Sequence, residues 1–145
     1  MLPEADLITG IDAMENFPDI IEKHLNTKYF PPISESTYIY SGSSPRVLTL
    51  SPFTAYVKIA DGCNNFCSYC SIPFIRGQYR ERGVEDIVNE VEILVSNGVK
   101  EIVLISQDTT KYGSTNGSSL VKLLNEVNSI NGSFKIRVMY LYPSG

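Results

Sequence analysis

Cys63, Cys67 and Cys70 fall within one eight-residue run, Cys63-Asn-Asn-Phe-Cys67-Ser-Tyr-Cys70, and the chain has no other cysteine. A disulfide framework uses even numbers spread along a small secreted chain, so an odd, bunched set points to a metal or redox centre. Spacings of four and three residues on one loop let the three sulfurs turn onto a single group. Thiolates are soft ligands, and iron–sulfur clusters are held by them. Three ligands on a four-iron cubane leave one iron open to bind and polarise a substrate, much as catalytic metal sites keep a position free and structural ones do not. Two other readings stay open. One is a structural zinc, which needs a fourth ligand from distant His24 or a carboxylate; the other is three free thiols. His24 is the only histidine, which excludes His-dependent triads and HExxH zinc sites. The chain also lacks GxxxxGK[ST] and GxGxxG, the commonest phosphate cradles.

Around that loop the elements that must hold it are legible. Residues 56–60 (YVKIA) read as a strand running into Asp61-Gly62, whose backbone sets the tight turn before the cysteines. Val84, Ile87, Val88, Val91, Leu94 and Val95 then recur at three and four residues, with Glu85 and Asp86 in the first turn and Gly98 past the end, the pattern of an amphipathic helix. Residues 102–105 (IVLI) form a continuous apolar run, as expected of a parallel strand covered on both faces. A second helix is capped by Ser118 or Ser119, carries Leu120, Leu123, Leu124 and Val127 as its stripe, and closes at Gly132. Residues 134–141 (FKIRVMYL) read as a third strand. The order β-α-β-α-β predicts an α/β fold with right-handed parallel units, and sites on such sheets gather where the strands end. Upstream, residues 16–26 (NFPDIIEKHLN) read as a short helix capped by Asn16, with Pro18 in its first turn, Ile20, Ile21 and Leu25 on one face, and His24 on its surface. Residues 27–55 hold four prolines and ten Ser or Thr, a composition that favours an extended linker at a domain boundary, with Tyr38, Ile39 and Tyr40 as a short strand within it.

A length of 145 residues, 43% of them hydrophobic and 19% charged, suits one globular domain. The net charge of −4 gives no overall footprint for nucleic acid. The imbalance is local: residues 1–35 carry seven acids against two lysines, and residues 36–145 carry nine acids against ten Lys and Arg. No apolar run approaches the roughly 18 residues of a membrane span, and the acidic opening has no signal-peptide pattern. The expected compartment is the cytoplasm with no membrane contact, so the Asn-x-Ser triplets at Asn116 and Asn131 read as loop chemistry.

The string CNNFCSYC resembles the C-x3-C-x2-C motif of radical S-adenosylmethionine enzymes, with the aromatic Tyr69 just before the last cysteine. The stretches YVKIADGCNNFCSYCSIPFIRGQYRERG and EVEILVSNGVKEIVLISQDTTKYG are similar to the methylthiotransferase subfamily of those enzymes. Ser106-Gln107-Asp108-Thr109 resembles the branch that modifies an aspartate of a small-subunit ribosomal protein; the branch that modifies tRNA isopentenyladenosine usually has Gly-Gln-Asn there. The resemblance covers residues 46–145, and more weakly residues 1–28. It implies a partial (βα) radical SAM barrel of parallel strands preceded by a helix and a Pro/Ser-rich linker. Residues 1–28 would be the tail of the family's N-terminal domain, 29–52 the linker and 53–145 the first part of the core. Three parallel strands cannot close a barrel, so the expectation is a fragment that exposes unpaired edges and completes no turnover alone.

By the same resemblance Cys63, Cys67 and Cys70 ligate a 4Fe–4S cluster whose open iron chelates S-adenosylmethionine. An external electron donor then drives one-electron cleavage of the sulfonium to a 5′-deoxyadenosyl radical, and the protein supplies placement. A second 4Fe–4S cluster is expected in the intact enzyme, but its ligands are absent from this chain. Tyr69 would pack on the adenine, Ser106, Gln107 and Asp108 would line the cofactor pocket, and Arg76 would meet the cofactor carboxylate. Each has a plainer reading: a loop tyrosine for Tyr69, cap or turn chemistry for residues 106–108. Arg76, Arg80 and Arg82 against Glu81 make a charge run that is usually a solvated face, or that meets an acidic or phosphate-bearing partner such as the ribosome. Family members often have Ser and Pro where this chain has Glu81 and Gly83. Arg137 either points into the barrel or forms a structural salt bridge. The function implied is methylthiolation of an aspartate β-carbon in a small-subunit ribosomal protein. The alternatives are the tRNA adenosine enzyme and a non-catalytic zinc-binding module.

Overall fold

In the computed structural model, which describes residues 4–33, 36–49 and 51–143, a parallel sheet forms around the apolar run at residues 102–105. In chain order the elements are a 3-10 turn (Ile11–Met14), α1 (Phe17–Thr27), β1 (Thr54–Lys58), β2 (Ala60–Asp61), α2 (Ile72–Arg76), β3 (Arg80–Glu81), α3 (Val84–Ser96), β4 (Glu101–Ile105), a second 3-10 turn (Thr109–Lys111), α4 (Leu120–Asn128) and β5 (Lys135–Val138). Strand β4 is central, with β1 on one side and β5 on the other, all parallel. The register sets Lys58 opposite Ile105, so β1 and β4 end level with each other where the cysteine loop leaves.

Helices α3 and α4 supply the covering layer. Ile87, Val91 and Leu94 of α3 and Leu123 and Val127 of α4 pack on Ala55, Val57, Ile102 and Leu104 of the sheet. Burying each large aliphatic side chain contributes about 1.5–3 kcal/mol, and this layer fixes the strand ends that carry the site. The cap of α4 is Ser119, whose Oγ accepts from the Lys122 N–H at 3.0 Å. Both helices lie on one face, so only β4 shows the two-sided burial its sequence predicts: Val103 is buried, whereas Tyr56 on β1 is 46% exposed. Arg137 on β5 is an exposed structural arginine paired with Glu101 at 2.6 Å.

Several local expectations change. The strand expected over 56–60 starts earlier and breaks after Lys58; Ala60 and Asp61 instead pair antiparallel with Glu81 and Arg80. The third strand ends at Val138, and Tyr140 takes a positive φ of 60°. Tyr38, Ile39 and Tyr40 make no strand. The described part of the predicted linker is held by side chains: Asp12 accepts from Ser36 Oγ at 2.8 Å and from the Thr37 and Tyr38 N–H groups, and Asp86 accepts from the Gly42 N–H at 3.0 Å. His24 is buried rather than on the surface. Lys28, at φ 54°, caps α1 by donating to the His24 carbonyl, and the chain then turns back. His24 Nδ1 lies 2.9 Å from the Tyr29 carbonyl oxygen, and Phe30 stacks edge-on against its ring. Leu25, expected on the apolar face, is 69% exposed, and Asn16 makes no side-chain cap. Positions 1–3, 34, 35, 50, 144 and 145, which include parts of the predicted linker and the chain end, lie outside the described residues. Among the described residues no helix is long and apolar enough to cross a membrane.

Candidate functional site

The loop that carries the cysteines is closed at its neck by the β2–β3 pair and by the Cys63 N–H donating to the Gly77 carbonyl at 3.3 Å. Gly62 sits in that neck at φ 75°, and a Cβ there would run into the Gln78 carbonyl, so the position takes only glycine without strain. Asp61, buried beside it, accepts from the Gly62 N–H at 2.9 Å and pairs with Lys58 at 3.1 Å and Arg76 at 3.5 Å. Both asparagines between the first two cysteines are used. Asn64 Oδ1 accepts from the Tyr79 N–H at 3.0 Å. Asn65 donates through Nδ2 to Asp108 Oδ2 at 2.8 Å and accepts from Lys111 through Oδ1. The side chain of Asn65 therefore bridges the cysteine loop to the segment that follows β4.

Cys63 is buried, Cys67 and Cys70 are partly exposed, and all three line one cavity of about 430 Å³. That volume lies in the range of ligand pockets. Lys58 and Ile105 line it from the ends of β1 and β4, Ser106 and Gln107 from just beyond β4, and Tyr140 and Tyr142 from beyond β5. Tyr69 also lines it and is 89% exposed, leaving a ring face free. Ser106 Oγ lies 3.2 Å from Thr109 Oγ1. The Gln107 Oε1 atom is buried with no hydrogen-bond partner in the protein, so it is free to accept from a ligand or water. Asp108 is buried behind the cavity rather than among its lining residues, with Oδ2 on Asn65 and Oδ1 unpartnered. Arg76 lines a neighbouring cavity of about 280 Å³ that shares Lys58 and Ile105 with the first. A third cavity, of about 480 Å³ between the starts of α3 and α4, contains none of the candidate residues.

Among the described residues no three His, Cys, Asp or Glu side chains converge closely enough to hold a single metal ion. A cluster of several irons does not ask this of its ligands, because each thiolate takes its own iron. The donor set, three thiols around a cavity with polar wall atoms left over, fits such a cluster. His24, the distant zinc ligand considered above, is engaged with Tyr29 and lies outside this cavity.

The basic run is not a solvated face. Arg82 is 2% exposed; its guanidinium donates to Asp86 and to Glu90, each at 2.6 Å, and to the Lys58 carbonyl at 2.7 Å. Arg46 pairs with the other oxygen of Glu90. Arg80 is spent on the carbonyls of Tyr38, Arg76 and Gln78. Glu81 accepts from the N–H groups of Gly113, Ser114, Thr115 and Asn116, which ties β3 to the loop before α4. Burial, reinforced by the nearby Glu81 and Asp108 carboxylates, pushes the Tyr79 phenol up, so it stays protonated beneath the site. Lys58, Asn65, Lys111, Tyr140 and Tyr142 were not anticipated. The amide pair between the cysteines was the one available signal, since an asparagine there can pin a loop.

Residues 57–143 match the family model described as the radical SAM superfamily. Similar proteins include "Ribosomal protein uS12 methylthiotransferase RimO" of Dictyoglomus thermophilum, 48% identical over 144 residues that cover 98% of this chain and 32% of the relative. Proteins of the same name from Caldicellulosiruptor saccharolyticus and Akkermansia muciniphila are 43% and 39% identical, over 98% and 99% of this chain and 33% and 36% of their own lengths. The chain thus spans about a third of the length of the curated relatives it matches.

Proposed function

The chain belongs to the radical SAM superfamily, and from that premise we propose that it is radical SAM core sequence of a ribosomal protein uS12 methylthiotransferase. In this reading Cys63, Cys67 and Cys70 hold a 4Fe–4S cluster beside a site for S-adenosylmethionine. The observation that carries it is the single cavity lined by all three thiols together with Ser106 and Gln107. The names of the relatives support uS12 as the acceptor. Residues 1–28, 29–52 and 53–145 are read as the end of a preceding domain, a connecting segment and the core. A ribosomal acceptor puts the work in the cytoplasm.

When bound, the cluster and the sulfonium nucleotide supply one-electron cleavage and hydrogen abstraction from carbon. The chain's own residues prepare the place. The β2–β3 neck and Gly62 set where the loop emerges, and Asn64 and Asn65 hold it against two separate elements, so the thiols are positioned before any ligand arrives. Ser106 and Gln107 present polar atoms to the nucleotide, Gln107 with a buried acceptor not otherwise used. The exposed Tyr69 ring offers its face to the adenine, a contact of the offset-stacked kind. Asp108 acts from behind by holding Asn65. Tyr140 and Tyr142 bring apolar rings to the same cavity and help exclude water from it.

The test is methylthio incorporation by the protein expressed from its complete gene, incubated anaerobically with S-adenosylmethionine, a reductant and either uS12 or tRNA. Mass spectrometry should find the added methylthio group on an aspartate of uS12. Incorporation into tRNA alone would refute the proposal, as would a colourless protein that carries one zinc.

A further inference from the structure

The cavity beside the cysteine cavity is lined by three cations, Arg46, Lys58 and Arg76, and by Tyr38, Tyr40 and Tyr56. No carboxylate is among its lining residues. The acids that pair with those cations, Asp61 and Glu90, are almost fully buried, while the cationic side chains keep about a third of their surface free. The carboxylates thus lie buried beneath the cations, whose side chains line the open volume.

Lys58 and Arg76 share the one carboxylate of Asp61, Arg46 and Arg82 share that of Glu90, and Arg82 has Asp86 in addition. Four cations thus stand against the three carboxylates they contact, and Glu15, the further acid whose charge reaches Tyr38, is not among the lining residues. Arg76 is held to Asp61 at 3.5 Å, a long contact that leaves guanidinium donors to spare. Burial pushes the Tyr38 and Tyr40 phenols up, so both remain O–H groups; Tyr40 Oη donates to the Ser44 carbonyl at 3.5 Å, and the Tyr38 hydroxyl is left to donate. An array of guanidinium, ammonium and phenol groups with no carboxylate among its lining accepts an anion.

Lys58 and Ile105 belong to both cavities, so an anion held there lies next to the volume enclosed by the thiols. Resting on the function proposed above, we infer that Lys58 and Arg76 form the subsite for the side-chain carboxylate of the acceptor aspartate. The subsite holds the carboxylate and thereby presents the neighbouring carbon toward the cysteine cavity. The alternative acceptor, the adenine ring of tRNA, carries no charge and makes no use of a cationic lining.

The subsite is tested on the metal-free full chain by NMR titration with N-acetyl-L-aspartate N′-methylamide, its asparagine twin and inorganic phosphate. The aspartyl probe should shift the Ile105 methyl and Arg76 Nε resonances saturably. The asparaginyl probe should bind at least about tenfold more weakly, the scale of one charge-assisted contact. Lys58→Met should weaken the aspartyl probe by a similar factor, and Arg76→Gln provides the same reading if the lysine variant does not fold. Equal response to the two amide-capped probes, phosphate binding as tightly as the aspartyl probe, or no saturable shift would each overturn the assignment. Because no metal is involved, a chain that takes up its cluster yet ignores the aspartyl probe would sink the subsite and leave the proposed function standing.

Discussion

Replacing Arg82 by methionine tests how the sheet edge beneath the site is held. Arg82 is buried and makes charged hydrogen bonds to Glu90 and Asp86 and a third to the Lys58 carbonyl, at the end of the strand that leads to the cysteines. Removing one partner of a buried ion pair costs about 3–5 kcal/mol, because the other charge is left unpaired in a poor solvent. Glu90 retains Arg46, and the Asp86 carboxylate is a third exposed, so its share is discounted for solvent screening. These corrections put the loss near the lower end, about 3 kcal/mol. With a urea dependence of roughly 1–3 kcal/mol per molar, the unfolding midpoint should fall by about 1–3 M. Equilibrium urea unfolding followed by circular dichroism measures it. Arg82→Met combined with Glu90→Leu should lose less than the sum of the two single variants, since both changes remove the same ion pair. A loss below about 1 kcal/mol, or losses that simply add in the double variant, would refute the buried network.

Two further outcomes follow from hydrogen bonds described above. Asp12 is held below its ordinary carboxyl value of 3.8, first by Ser36 Oγ and then by the Tyr38 and Thr37 N–H groups. A depressed folded value means this tether contributes above the ordinary carboxylate range and is lost as pH falls through the folded value; Ser36→Ala should move the Asp12 carboxyl titration, read by NMR, back up toward 3.8. Asn65→Asp sets a carboxylate against Asp108 and should speed amide hydrogen exchange over residues 63–70 about tenfold, the equivalent of a lost hydrogen bond of ~1–1.5 kcal/mol. Adding Asp108→Asn swaps amide and carboxylate and should restore slow exchange; equal rates in the two variants would show that the bridge does not restrain the loop.

The sheet and its helices were legible because their signals are periodic and long. The 3–4 spacing in residues 84–95, the IVLI run and the Ser119 cap all reappear as α3, β4 and the start of α4. What stayed hidden was aperiodic. The β2–β3 neck has two residues a side, too short to show any alternation, and the binding of residues 36–42 to Asp12 and Asp86 is side-chain chemistry at long range. Arg82 read as surface because charge runs usually are; its partners come from α3, one and two turns away, and only folding brings Arg46 to the same carboxylate. His24 was misjudged for a similar reason, since the left-handed Lys28 that folds Tyr29 and Phe30 onto it has no glycine to announce it. The thiols, Ser106, Gln107 and Tyr69, singled out in the sequence, line one cavity, whereas Arg76 lines the cavity next door.

The most direct measurement is anaerobic reconstitution of the full chain with ferrous iron and sulfide, followed by visible absorbance, electron paramagnetic resonance of the reduced sample and metal analysis. The account predicts a brown protein with about four irons and four sulfides per chain, lost on Cys63→Ser, Cys67→Ser or Cys70→Ser, and a resonance that changes when S-adenosylmethionine is added. A colourless chain, stoichiometric zinc, or a cluster indifferent to all three serine variants would contradict it.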